Sequence, residues 1–158
     1  MRRFPVFLAG MLLSLGSFAA EIFLHEVNAT SYRIGVFQDD NDTAFLYLTH
    51  QDNDQPEFSV VAYTHTALSP ANTSGTADGK PPRLTMDTAS PQAFIHDIDE
   101  RELSLKWSRD GQALAILRKG TPIAYISAKD KTGYSKALVR SSPLGQPWDE
   151  KRYRKLFK

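Results

Sequence analysis

The spacing of the apolar residues constrains this chain more than any other feature. From Glu21 onward they fall in short alternating runs, rich in β-branched and aromatic side chains, with Asp, Asn and Gly between them. A period of two is the signature of half-buried strands. Residues 21–27, 31–38, 43–50 and 57–65 read as strands, with turn signals that mark a three-strand meander. In the third, Ala44, Leu46 and Leu48 share one face while Phe45 and Tyr47 share the other. Asp39-Asp40-Asn41-Asp42 and Gln51 to Pro56 supply turns, because Asp and Asn tolerate left-handed backbone and hydrogen-bond their own main chain. The rhythm resumes over 91–98, 102–108, 112–118, 122–128 and 133–140. Asp110-Gly111 between two of these runs is a strong hairpin signal. Pro143 and Pro147 are expected to stop the sheet. Asp149 to Phe157 then reads as a basic helix with Trp148, Tyr153, Leu156 and Phe157 as its apolar residues. The expectation is an all-β fold, a small antiparallel barrel or sandwich of about eight strands with a short C-terminal helix.

Residues 66–90 break this rhythm with a run dense in Ser, Thr, Gly, Pro and Asn. They are expected to form a long loop, with one short strand at Arg83–Met86. Loops of that length are usually functional or disordered, and both readings stand. A chain of 158 residues suits one domain and is too short for a TIM barrel. With 41% hydrophobic and 23% charged residues it is too balanced for intrinsic disorder.

At the start, Arg2 and Arg3 precede a nearly uninterrupted apolar run from Phe4 to Phe18, and Ser17 and Ala19 have the small-residue spacing of a cleavage site. This is a secretory signal pattern, with cleavage expected after Ala19 or Ala20. The run is shorter than a membrane span requires. Residues 1–19 are therefore expected to be a signal peptide and 20–158 a single exported β-rich domain, periplasmic or secreted, with no stable membrane insertion after cleavage. The chain has no cysteine, so it holds its fold without disulfides and offers no thiol nucleophile or Cys-based metal site. Asn28, Asn41 and Asn72 begin Asn-x-Ser/Thr sequons, which matter only in a eukaryotic secretory pathway.

The formal net charge of +1 conceals a division. From Ala20 to Glu102 there are 14 acidic and 4 basic residues; from Leu103 to Lys158 there are 4 acidic and 13 basic. Such asymmetry points either to an interaction surface or to halves that neutralise each other across one sheet.

Trp107-Ser-Arg-Asp-Gly111 resembles a blade hairpin of TolB-type propellers, but propellers need several copies of that unit and one is present. Over about residues 103–148, four features recur together. They are the W-S-x-D-G hairpin, the G-x-P-x-A strand at Gly120–Ala124, Gly133-Tyr134, and a Pro…Trp ending at Trp148. The segment is similar to a family of small bacterial proteins carried as a domain of unknown function. That resemblance implies a bacterial origin and a small β domain, and it hands over no catalytic residue.

No complete catalytic or cofactor pattern is present. His25, His50, His65 and His96 fall at or near strand ends with none of the paired metal-ligand spacings. His96, Asp97 and Asp99, or His50, Asp52 and Asp54, offer mixed ligands, short of the convergent set a metal needs. The two acidic turns lack the EF-hand glycine and distant Glu, and lie roughly 25 Å apart at opposite ends of one strand. Ser74-Gly75 has no bracing strand, and Asp97, Asp99, Glu100 and Glu102 read as a charged turn rather than a glycosidase pair. The tail from Lys151 to Lys158 combines cations and aromatics, but export separates it from cytoplasmic nucleic acid.

The expected function is therefore that of an exported non-enzymatic binding protein without cofactor. A periplasmic immunity or inhibitor protein would fit, meeting a basic exported protein through an acidic surface of Asp39, Asp40, Asp42, Asp52, Asp54 and Glu57. The alternative is a small-ligand carrier with a cavity inside a barrel.

Overall fold

A computed structural model describes residues 21–66 and 82–158. The expected signal peptide, the Asn72 sequon, Ser74-Gly75 and most of the expected long loop lie outside the described residues. Nine strands form two sheets among the described residues. The first is an antiparallel meander of β1 (Ile22–Val27), β2 (Ile34–Asp39), β3 (Thr43–Thr49) and β4 (Pro56–Thr64). The second runs in order through β5 (Leu103–Trp107), β6 (Ala113–Arg118), β7 (Thr121–Ser127), β8 (Thr132–Ser135) and β9 (Gln146–Pro147). All its pairings are antiparallel except β8 with β9. The C-terminal helix spans Glu150–Leu156. The sheets stack, with β3 against β6 and β7 and β4 against β7 and β8. This is a sandwich-like arrangement and not a closed barrel.

Alternation along the strands places each core. Leu46, Leu48 and Phe37 of the first sheet meet Leu114, Ile116 and Ile126 of the second, all of them fully buried. Burying each such side chain contributes about 1.5–3 kcal/mol. The intervening residues face outward. Phe45 and Val61 are covered by Leu84, Ala93, Leu138 and Leu144, while Ala113, Ala115 and Tyr125 are covered by Phe157 and the helix. The expected faces of β3 are therefore observed: Ala44, Leu46 and Leu48 belong to the inner core, and Phe45 and Tyr47 to the outer one.

Two glycines let the sheets approach. A Cβ on Gly35 would lie 2.6 Å from Leu114 Cδ2, and one on Gly133 would lie 2.4 Å from Val60 Cβ. Each sheet thus carries one glycine beneath a branched side chain of the other. The β6–β7 turn is a two-residue hairpin with Lys119 at φ 51° and Gly120 at φ 80°, both left-handed as the twist of a tight hairpin requires. The Asp110-Gly111 turn forms as expected, with Gly111 at φ 70° and Asp110 Oδ1 accepting from the Ser108 hydroxyl and the Gln112 amide.

Two expected strands are absent, and the one expected over 133–140 is cut short at Ser135, where a turn follows. Residues 91–98 are not a strand. Pro91 opens a single 3-10 turn at Pro91–Ala93, Phe94 makes only an isolated bridge to Thr64, and Asp97 turns the chain at φ 53°. Proline supplies no ladder donor but suits a first helical position, which is why the alternating Phe94 and His96 do not extend into a sheet. Arg83–Met86 is likewise no strand; a turn occupies 85–88, closed by the Thr88 amide donating to the Thr85 carbonyl. Conversely, Gln146–Pro147 adds a short edge strand where two prolines were expected to end the sheet. Its edge position tolerates Pro147.

Candidate functional site

The six candidate acids have different fates. Asp39 ends β2 on the inward side, one period after Phe37, and is 1% exposed. Its Oδ2 accepts from the Tyr63 hydroxyl at 2.7 Å and lies 2.7 Å from His65 Nε2, while Oδ1 accepts from the Asn41 amide. His65 Nδ1 in turn faces the Ile95 carbonyl at 2.5 Å. This buried network ties the end of β2 to the end of β4 and to the connection beyond it. Burial, then the Asp39 carboxylate beside it, pushes the Tyr63 phenol far above its ordinary range. Asp39 is thus a structural carboxylate and not part of a displayed acidic surface.

Asp42 is paired with Arg83 at 2.7 Å and accepts from the Thr66 hydroxyl. Glu57 is paired with the buried Arg33 at 2.8 Å and lies 3.1 Å from His50. Asp40, Asp52 and Asp54 form no ion pair among the described residues. Asp40 Oδ1 accepts from the amides of Asp42 and Thr43, and Asn41 sits at φ 70°, the local turn chemistry the residues call for. These three mark opposite ends of β3, whose seven residues separate them by roughly 23 Å.

Between those ends lies an outer face that the cover over β3 and β4 reaches only at Tyr47. Register places His25 opposite Val36 and Val36 opposite Tyr47, with Phe23 on the same side of β1. Phe23, Val36 and Tyr47 are half-buried, Val27 is 45% exposed, and nearby Tyr32 is 60% exposed. Burial raises the Tyr47 phenol, and the Asp40 carboxylate adds to the shift. Exposed Glu21 immediately precedes β1, whose far edge has no strand partner among the described residues. An apolar centre with charged margins is the anatomy of a protein interface. The exposed aromatic residues were outside the sequence-based candidate set. The signal that could have found them is the outward set Phe23, Val27, Val36 and Tyr47, read across neighbouring strands.

The charge division of the sequence is also a division in space, because one half of the chain builds each sheet. Arg33, Arg83 and Arg101, the basic residues of the first half among the described residues, each pair with an acid of that half. Asp110, Asp130, Asp149 and Glu150, the acids of the second half, pair with Lys129, Arg152 and Arg154. Arg118–Glu102, at 2.9 Å, is the one ion pair among the described residues that joins the two halves. Each half therefore neutralises its minority charge internally and leaves its majority charge to solvent.

His96, Asp97 and Glu100 are exposed, and Asp99 is occupied by Arg101 at 2.7 Å. Among the described residues, no three metal-ligating side chains come together. No described helix is long and apolar enough to cross a membrane. Comparison with known proteins finds no matching family model, no matching curated protein and no matching solved structure.

Proposed function

We propose that this chain is an exported, non-enzymatic binding domain that meets a basic partner protein through the outer face of β1, β2 and β3. An immunity or inhibitor protein of a bacterial periplasm is the form this takes. The observation that carries the reading is the half-exposed patch of Phe23, Val36 and Tyr47, continued by exposed Val27 and ended by acids without ion-pair partners among the described residues. Burial of the apolar centre supplies affinity, while the unpaired carboxylates steer a basic partner and set the salt dependence. The carrier alternative receives less support. The space between the sheets is filled by fully buried side chains, and at Gly35 and Gly133 even a methyl group would collide.

The test is capture from envelope and culture-medium extracts at about 50 and 300 mM salt, a range over which screening shortens markedly. Wild-type protein is expected to hold a basic protein at the lower salt and lose it at the higher. The triple variant Asp40→Asn, Asp52→Asn, Asp54→Asn should weaken that capture and flatten its salt dependence, and Tyr47→Ser should weaken it at both salts. Retention unchanged in both variants would discard the reading.

A further inference from the structure

On the second sheet, away from the β1–β3 face, the chain builds a groove of about 620 Å³. One wall is the end of the C-terminal helix and the residues after it, with Arg152, Lys155, Leu156 and Lys158. The other is made by two turns, Ser108 to Gln112 before β6 and Ser127 to Asp130 after β7. Five cations line it, Arg109, Lys129, Arg152, Lys155 and Lys158, against two carboxylates, Asp110 and Asp130. Both carboxylates are already committed. Asp110 pairs with Lys129 at 2.9 Å, and hydrogen bonding from Lys129 and the Gln112 amide pushes its carboxyl down to about 2. Asp130 pairs with Arg152 at 2.6 Å; burial pushes its carboxyl up, but hydrogen bonds from Ser127 and Arg152 outweigh that and leave it low. Arg109, Lys155 and Lys158 are left with no ion pair among the described residues, from two separate parts of the chain.

The walls are fixed before any ligand arrives. Tyr125 stacks on Tyr134 and meets Trp148, Tyr153 and Phe157, and its hydroxyl donates to the Asp149 carbonyl at the helix start. Asp149 caps the helix by accepting from the Arg152 amide at 2.9 Å. Arg152 Nε is buried without a hydrogen-bond acceptor, standing 3.6 Å from Asp149 Oδ2. A concave basic surface with a low-dielectric wall focuses its field on whatever occupies it.

We propose that this groove binds a phosphate-bearing ligand. A carboxylate would leave two of the three uncommitted cations unanswered. A phosphomonoester carries about −1.5 to −2 charge near neutral pH and three acceptor oxygens, which suits a groove lined by three uncommitted cations. The volume lies within the usual range of small-ligand sites, about 300–1,000 Å³. The ligand is either a soluble phosphomonoester or the phosphomonoester headgroup of a membrane lipid, as in phosphatidic acid. Because the groove lies on the other sheet, this proposal stands or falls separately from the protein-binding one.

Amide chemical shifts of the full chain, titrated with glycerol 3-phosphate at constant ionic strength, test it. The expected result is a saturable change confined to residues 108–112, 127–130 and 152–158, with no such change from acetate. The triple variant Arg109→Gln, Lys155→Gln, Lys158→Gln should weaken binding about tenfold or more, the equivalent of at least about 1.4 kcal/mol. A control, Lys106→Gln, Lys119→Gln, Arg140→Gln, removes equal charge elsewhere on the same half and should bind as wild type does. Vesicles containing phosphatidic acid, whose headgroup is a phosphomonoester, form the second arm. Binding to them that is lost in the groove variant and kept in the control assigns the headgroup as the source, even where the soluble ester does not bind. Equal weakening in both triple variants, or no saturable binding in either arm, overturns the proposal.

Discussion

The two sheets solve the same packing problem with opposite electrostatics. Each contributes a fully buried tyrosine, one glycine and one branched side chain seated over the other sheet's glycine. Yet Tyr63 donates to a buried carboxylate, whereas Tyr125 donates to a main-chain carbonyl. The first sheet places ionic chemistry in its interior and keeps acids at the ends of an apolar outer face. The second keeps its acids on turns and helix and closes its outer face with aromatic rings. A buried polar group therefore derives its importance from what its loss would strand.

Asp39→Ala gives the largest effect expected. It strands the Tyr63 hydroxyl and the His65 ring, two buried polar groups that cost about 1–3 kcal/mol each when left without a partner, read as a lower urea midpoint. Next come the facing glycines. Gly133→Ala sets a methyl against Val60 Cβ, which cannot move without its strand, and should cost about 2–3 kcal/mol. Gly35→Ala meets the far end of Leu114, which can rotate, and should cost about 1 kcal/mol. Equal losses at the two glycines would break the proposed asymmetry of the interface. The tyrosines sharpen it further: Tyr63→Phe leaves a carboxylate short of a donor and should cost about 2 kcal/mol. Tyr125→Phe leaves a carbonyl that still accepts from the Tyr153 amide, and should cost about 1 kcal/mol.

Alkaline pH probes both sheets at once. Burial raises the phenols of Tyr63 and Tyr125, so each folded-state phenol keeps its proton above the pH near 10 at which the unfolded chain loses it. Stability is then intact below about pH 10 and falls above it by about 1.4 kcal/mol per pH unit for each such tyrosine. In Tyr125→Phe the fall should be shallower by one tyrosine's share, measured as urea midpoint against pH. The smallest effect is expected from Asp40→Asn, Asp52→Asn, Asp54→Asn, whose stability should stay within about 0.5 kcal/mol of wild type while partner binding changes.

Much of the fold was legible in the sequence because period-two alternation and Asp, Asn and Gly turns are local signals. β3 shows its two faces residue by residue, and the Asp110-Gly111 and Lys119-Gly120 turns announce their hairpins. Residues 91–98 misled because Phe94 and His96 alternate with Ile95 while Pro91 and Asp97 decide the backbone. The candidate site was less legible, since the residues that neutralise an acid lie far along the chain. Tyr63 and His65 reach Asp39 from 24 and 26 residues away, and Arg83 reaches Asp42 from 41. One local cue was available: Asp39 follows Gly35 and Phe37 on the inward side of β2, so the period that buries Phe37 buries Asp39 too.

The sheet orders run straight through the sequence, β1 to β4 and then β5 to β9, and this has a consequence for how the chain folds. Almost every ladder joins neighbours in sequence, so each half can zip its own sheet through short loop closures. What remains is one encounter between two ribbons of residues distant in the chain, with Val60 finding Gly133 and Leu114 finding Gly35 only at that moment. Folding speed is then expected to follow this single meeting. Trimming Val60 or Leu114 should show in whichever rate, folding or unfolding, belongs to the sheets coming together or parting.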